Sequence, residues 1–222
     1  EFVTGLLFAL PLLEGDSQIR LTTPLESADY VNMTLEILHL AGIEIICKEN
    51  GYDIKGNQKY HPFTYSVEAD YSQAAFFLTA AAVGSQISCK GLNPNSLQGD
   101  KQILNILSQV GAEVTVSGDV VTVSHRQLLP FVVDAKDIPD IVQILWVLAA
   151  HCSGESQIIN IERLKYKESD RIQTTAMLLQ SLGATVTAYD DRLVIQGGKH
   201  LRGGTTDSFG DHRIAMSAAI AA

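Results

Sequence analysis

Three stretches of this chain follow one plan, and that internal repeat limits the possible fold more than any other feature. The stretches "SADYVNMTLEILHLAGIEIICKENGYDIKG", "LQGDKQILNILSQVGAEVTVSGDVVTVSH" and "KESDRIQTTAMLLQSLGATVTAYDDRLVIQGG" each open with polar residues including Asp. Each then carries apolar residues at helical spacing, reaches a glycine and ends in an alternating segment. The shared glycines Gly42, Gly111 and Gly183 are 69 and 72 residues apart. A glycine there supplies the left-handed residue that ends a helix, and alternation around "KENG", "SGD" and "YDD" predicts a β-hairpin after it. Ahead of each stretch lies an apolar helix rich in small residues: "FVTGLLFALPLL", "DYSQAAFFLTAAAV" and "DIPDIVQILWVLAAH". "GDHRIAMSAAIAA" opens a fourth copy. These helices are apolar on most faces, so burial is expected for all of them. The predicted unit is helix, strand, helix, hairpin, and its copies pack their buried helices together beneath outer sheets, an α/β architecture. Solenoid stacking is the rival, although common solenoid repeats are shorter.

Composition narrows the function. With 46% hydrophobic residues the 222-residue chain can bury a substantial core. Its formal charge of −9 leaves no broad basic face for nucleic acid or an anionic membrane, so a bound anion must meet a local cluster of cations. The apolar run Phe2 to Leu13 is too short to span a bilayer and lacks a basic leader. Cys47, Cys89 and Cys152 are scattered, which predicts reduced core thiols and a cytoplasmic protein. The histidines lack metal-ligand spacing, no phosphate-binding glycine loop occurs, and "GGKHLRGG" reads as turn and loop. The chain starts without Met in one apolar pattern and stops inside another, as a fragment does.

Candidate chemistry sits at the helix starts, where unpaired N–H groups call for caps and also attract anions. In "KYKESDR", a helical reading puts Lys167, Glu168 and Arg171 on one face, with Asp170 in the first turn. They form either a solvated, self-paired helix start or a site in which two cations hold an anion while a buried Glu168 keeps its proton. Asp140, ahead of the apolar run Ile141 to Ala150, is either a capping carboxylate or a group that orients or deprotonates a hydroxyl. Asp211, His212 and Arg213 are a cap with a surface Arg, or an anion clamp. Ser27 and Tyr30 are spaced for one helix face, with Ser27 a cap or half of a phosphate-contacting hydroxyl pair.

Taken together, "RLKYKESDRI", "GDHRIAMSAAIAA", "SVEADYSQAAFFLTAAA", "IPDIVQILWVLAA" and "EFVTGLLFALPLLEGD" resemble, in order and spacing, the 5-enolpyruvylshikimate-3-phosphate synthase (3-phosphoshikimate 1-carboxyvinyltransferase) family. The resemblance covers the whole chain and matches about the C-terminal half of the family's length, less its last portion. It implies βαβαββ units in an inside-out α/β barrel of two domains, with residues 1–66 ending the first and 67–222 forming most of the second, and the site between them. It also implies transfer of the enolpyruvyl group of phosphoenolpyruvate to the 5-hydroxyl of shikimate 3-phosphate, with release of phosphate, in aromatic amino-acid biosynthesis. No metal or organic cofactor is implied, and the expected protein is a monomer with small-molecule partners only.

By motif, Asp140 is similar to the family's base and Glu168 to its acid. Ser27, Tyr30, Asp140, Lys167 and Glu1 correspond to positions around shikimate 3-phosphate, and Arg171, His212 and Arg213 to positions around phosphoenolpyruvate. Glu1 departs from the usual Gln, and a carboxylate there repels an anionic ligand. The family's N-terminal Lys and Arg motifs and its late Lys fall outside these residues, so the 222 residues alone are expected to be inactive. The alternatives are the related transferase acting on UDP-N-acetylglucosamine and a non-catalytic module that binds a phosphorylated metabolite.

Overall fold

The computed structural model describes residues 2–222, which divide into two compact units, residues 2–67 with 97–99 and residues 68–96 with 100–222. In the first unit, helix α1 (Phe2–Ala9) leads into strand β1 (Ser17–Arg20), helix α2 (Ala28–Leu40) and the hairpin β2 (Ile45–Lys48) and β3 (Gly51–Ile54). The sheet order is β1-β3-β2, antiparallel throughout. Leu7, Ile19, Val31, Leu38, Ile43, Tyr52 and Ile54 form its core.

The second unit repeats this plan twice and starts it again. Helix α3 (Tyr71–Gly84), β4 (Gln86–Lys90), helix α4 (Ile103–Gln109) and the hairpin β5 (Glu113–Ser117) and β6 (Val120–Ser124) make one copy. Strand β7 (Val132–Asp134), helix α5 (Val142–His151), β8 (Glu155–Ile159), helix α6 (Arg171–Ser181) and the hairpin β9 (Thr185–Ala188) and β10 (Arg192–Gln196) make the next, a full βαβαββ unit. Helix α7 (His212–Ala221) opens the last. The sheets run β4-β6-β5 and β7-β8-β10-β9, and only the β7–β8 pair, joined through α5, is parallel. The helix, strand, helix, hairpin unit therefore occurs as the periodicity predicts, and Gly42, Gly111 and Gly183 all have positive φ, at 79°, 97° and 88°.

Helices lie inside and sheets outside. Every residue of α5 except His151 is buried, and nine residues of α3 are, because both lack a charged side chain and carry Ala where neighbouring helices approach. Helix α5 packs on α3, α6 and α7, and α7 also packs on α3 and α6. Trp146, Phe76, Leu78 and Leu145 are at most 1% exposed, and each such burial stabilises by roughly 1.5–3 kcal/mol. Strands β6, β8 and β10 turn Val121, Val123, Ile158, Leu193 and Ile195 onto these helices, alternating as half-buried strands must.

Two helices depart from the expected burial: α7, which buries only Arg213, Ile214, Ser217 and Ala221, and α1. In α1 only Leu7 is enclosed, while Phe2, Leu6 and Phe8 are exposed, because α2 is the one long helix in its unit against which it packs.

The three cysteines are unpaired, but only Cys152 is a core thiol: Cys89 is half-buried and Cys47, on the edge strand β2, is exposed. Burial pushes the Cys152 thiol up to about 12 against the opposing effect of a hydrogen bond with Ser156, so it is a packing group rather than a nucleophile. Among the described residues no helix is long and apolar enough to cross a membrane.

Gly197, just after β10, runs against the C-terminal end of α5. A Cβ there meets the carbonyl oxygens of Cys152 at 2.2 Å and Ala149 at 2.5 Å, and backbone atoms cannot swing aside. Gly197→Ala is expected to cost about 2 kcal/mol, read as a lower urea-unfolding midpoint. Gly203→Ala, where nothing lies within 4 Å, leaves the midpoint in place.

Candidate active site

Short polar starts bring four helices of the second unit into one hydrogen-bonded cluster. Three of the starts use the same device, an Asp whose carboxylate accepts first-turn N–H groups. Asp70 accepts from the Ser72 N–H at 2.7 Å, Asp170 from those of Ile172 and Gln173 at 3.2 Å, and Asp211 from that of Arg213 at 2.9 Å. The cap expected at Asp211 is thus present, whereas Asp170, expected inside the first turn, stands just outside the helix as its cap.

Asp140 behaves differently. It precedes Ile141, which stands at the start of α5 without a side-chain cap, and its carboxylate turns sideways to cations instead. Asp140 Oδ1 lies 3.3 Å from Arg171 Nη1, 3.7 Å from Arg213 Nε and 3.9 Å from Lys167 Nζ. Three neighbouring positive charges attract this carboxylate more strongly than a helix start alone does.

Arg171 is almost wholly enclosed, with its side chain 1% exposed. Its Nε donates to Asp211 Oδ2 at 2.8 Å and its Nη2 to Asp211 Oδ1 at 3.4 Å, a side-on pair. Its Nη1 donates to Asp140, and its Nη2 reaches Glu168 Oε2 at 2.7 Å. Asp211, itself buried, also accepts the Ser169 hydroxyl at 3.1 Å. Burial pushes the Asp211 carboxyl up. The hydrogen bond and charge of Arg171, the Arg213 N–H and Ser169 more than offset this and hold it below the usual carboxylate range.

The helical face expected for "KYKESDR" does not form. Residues Glu162–Tyr166 make a short 3-10 helix, Lys167 is extended with φ −90° and ψ −160°, and α6 begins only at Arg171. Asp170 works as a cap only from outside the helix, so Lys167 and Glu168 sit on the connecting loop. They still meet the cluster, Lys167 through Asp140 and Glu168 through Arg171. The burial expected of Glu168 is likewise missing, since its side chain is 52% exposed.

Arg213, the expected surface Arg, is buried. Its Nη1 donates to the Asp140 carbonyl oxygen at 2.6 Å and its Nη2 to Ser72 Oγ at 3.4 Å, so one guanidinium ties α7 to the starts of α5 and α3. His212 is more peripheral, its Nδ1 3.9 Å from Asp211 Oδ1 and its side chain 55% exposed.

Ser27 and Tyr30 belong to the first unit, and Glu1 lies outside the described residues. The side-chain cap expected of Ser27 is absent. Its backbone is left-handed, at φ 51° and ψ 47°, whereas a capping side chain reaches the first-turn N–H groups from an extended backbone. Tyr30 is exposed at the start of α2.

Sequence reasoning missed Ser72 and Ser169, and it took Asp211 for a cap without seeing the Arg171 pair. The one usable signal was the recurrence of Asp two residues before Ser72, Ile172 and Arg213. One turn below Asp140, Arg171 and Arg213 lie Gln143, Thr175 and Ser217. Their buried polar atoms make no hydrogen bond among the described residues, so the polar character of the cluster extends inward.

Four helix starts, each with partial positive charge from unpaired N–H groups, together with three cations and three carboxylates, can bind a small anion and move protons beside it. Among the described residues no three His, Cys, Asp or Glu side chains gather as metal ligands.

Asp211→Asn leaves Arg171 without its side-on partner and is expected to cost about 3 kcal/mol at neutral pH. Because the folded-state pKa of Asp211 is depressed, its contribution is fully present above its unfolded value, about 3.9, and is lost as pH falls through the lower folded value. Unfolding midpoints measured from pH 7 to pH 2 should therefore converge between wild type and variant at the acid end.

The EPSP synthase (3-phosphoshikimate 1-carboxyvinyltransferase) family matches residues 1–222. The chain is 47% identical to a 3-phosphoshikimate 1-carboxyvinyltransferase of Clostridium perfringens over 225 residues, covering all of this chain and 53% of that protein. A protein of the same name from Clostridium acetobutylicum is 48% identical over 223 residues, with 52% of it covered. The chain thus spans about half the length of the curated relatives it matches. An EPSP synthase structure from Acinetobacter baumannii superposes with a TM-score of 0.82 at 26% identity, covering 99% of this chain and 53% of that one. The enolpyruvyl transferase NikO from Streptomyces tendae gives 0.69 at 19% identity over 95% of this chain and 50% of its own, a likeness of fold.

Proposed function

Because this chain belongs to the EPSP synthase family, we propose that the protein carrying it transfers the enolpyruvyl group of phosphoenolpyruvate to the 5-hydroxyl of shikimate 3-phosphate, releasing inorganic phosphate. One observation carries the reading: two buried arginines and two acid–base candidates, Asp140 and Glu168, meet where four helices start. In this reading residues 1–66 are the end of the N-terminal domain and 67–222 most of the C-terminal one. The protein is a cytoplasmic monomer of the shikimate pathway and takes small molecules as its partners.

The chemistry follows from the substrates. Phosphoenolpyruvate is a poor electrophile until its methylene carbon gains a proton, which makes C2 cationic. Glu168 delivers that proton. Its contact with Arg171 comes from a loop and is half exposed, so an arriving carboxylate can displace it. Asp140 takes the proton of the 5-hydroxyl as its oxygen bonds to C2. The tetrahedral adduct then expels phosphate, and the Glu168 carboxylate takes a proton back from the new methyl group to restore the double bond. Arg171 and Arg213, with His212 at the edge, hold the phosphoenolpyruvate anion while charge shifts, in orientations set before the ligand arrives. Lys167 and Asp140 hold shikimate 3-phosphate, with Ser27 and Tyr30 near its phosphate and Glu1 at the same subsite. The left-handed Ser27, which costs on the order of 1 kcal/mol, supports a ligand-directed role for its hydroxyl.

Transfer to UDP-N-acetylglucosamine is the alternative that shares the fold. The test is phosphate release from phosphoenolpyruvate by the full-length protein with each acceptor in turn. Release with shikimate 3-phosphate alone, reduced at least about 100-fold by Glu168→Gln, is the expected result. Release with the nucleotide sugar instead moves the reading to its alternative, and release with neither leaves a binding module.

A further inference from the structure

The geometry points to Ser72 as a positioning residue that orients Arg213 for phosphoenolpyruvate, an inference that rests on the function proposed above. Ser72 is the second residue of α3 and is 5% exposed. Asp70 controls both of its polar groups: Oδ1 accepts the Ser72 N–H at 2.7 Å, and Oδ2 accepts the Ser72 hydroxyl proton at 3.0 Å. With its only hydrogen engaged there, the Ser72 oxygen has just its lone pairs to offer on its other side. Those lone pairs accept from Arg213 Nη2 at 3.4 Å, across 141 residues of sequence.

The direction of this chain of bonds matters. Arg213 can only donate, so a hydroxyl free to rotate could present its hydrogen and repel the guanidinium, whereas one oriented by Asp70 always presents an acceptor. On the opposite side Arg213 Nη1 donates to the Asp140 carbonyl oxygen at 2.6 Å. A planar guanidinium held at both terminal nitrogens by acceptors on two different helix starts has little rotational freedom left. Its remaining N–H groups then point in a set direction, the preorganisation that a bidentate carboxylate or phosphate contact requires. Asp140 Oδ1, 3.7 Å from Arg213 Nε, adds attraction but no comparable directional constraint.

The cap itself survives removal of the hydroxyl. In Ser72→Ala the backbone N–H still meets Asp70 Oδ1, so α3 keeps its start while Arg213 loses one anchor. Kinetics of the full-length protein separate the two effects. Ser72→Ala is expected to raise KM for phosphoenolpyruvate about fivefold more than KM for shikimate 3-phosphate, the size of effect for one modest hydrogen bond to a charged group. Ser72→Thr, which returns a hydroxyl, should recover most of the loss. In an Arg213→Lys background Ser72→Ala should add nothing further, because the two changes remove one interaction.

Equal movement of both KM values, a failure of Thr to rescue, or full additivity with Arg213→Lys overturns the positioning role while leaving the proposed reaction intact. A wild-type protein that neither turns over nor binds phosphoenolpyruvate overturns the reaction and this inference with it.

Discussion

A guanidinium that is almost wholly enclosed survives in a protein interior only if carboxylates surround it, and the second unit is organised around meeting that demand for Arg171. Asp211 meets it side-on, Asp140 end-on and Glu168 from the loop. Each partner comes from the start of a different element, so satisfying one charge brings the beginnings of α5, α6 and α7 within a side chain's reach. Arg213 extends the arrangement to α3 through Ser72. Asp211 bears two loads at once, capping α7 and neutralising Arg171, and all of its acceptor directions are in use. It is therefore a poor base. Asp140, by contrast, is approached by cations on its Oδ1 edge and is partly open to solvent.

The apolar part of the fold makes this possible at one end only. Helices α3 and α5 carry no charged side chain along their length, and α7 carries charge only in its first turn. Small residues such as Ala74, Ala75, Ala81 and Ala82 allow close helix packing, which aligns the starts of the helices rather than scattering them. A repeat then has a functional consequence. Equivalent positions in successive copies arrive at the same end of the helical core, so the Asp caps before Ser72, Ile172 and Arg213 become neighbours although they are far apart in the chain.

The order of elements, the hairpins, the helix-ending glycines and the cap at Asp211 were legible from the residues alone. These are local properties: a helical period, a strand alternation, a left-handed glycine and a carboxylate at a helix start each involve only a few successive residues. The family was legible for a related reason, since its motifs are runs of sequence. What misled was extending local logic to charges. Lys167, Glu168 and Arg171 have helix-face spacing but straddle a break between a 3-10 turn and α6. Asp140 has a cap's position but faces three cations, and α1 has the composition of a buried helix but little packed against it.

By itself, then, the sequence determined the repeating unit, the buried character of the central helices and the identities of the acid, base and cation candidates, because each follows from near neighbours along the chain. Only the tertiary structure decided which carboxylate neutralises which arginine, that Arg171 and Arg213 are interior rather than surface groups, and that Ser72 joins them. Those outcomes depend on distances between residues 31 to 141 positions apart, where burial makes an unpaired charge costly and only the packed helices determine which partner is within reach.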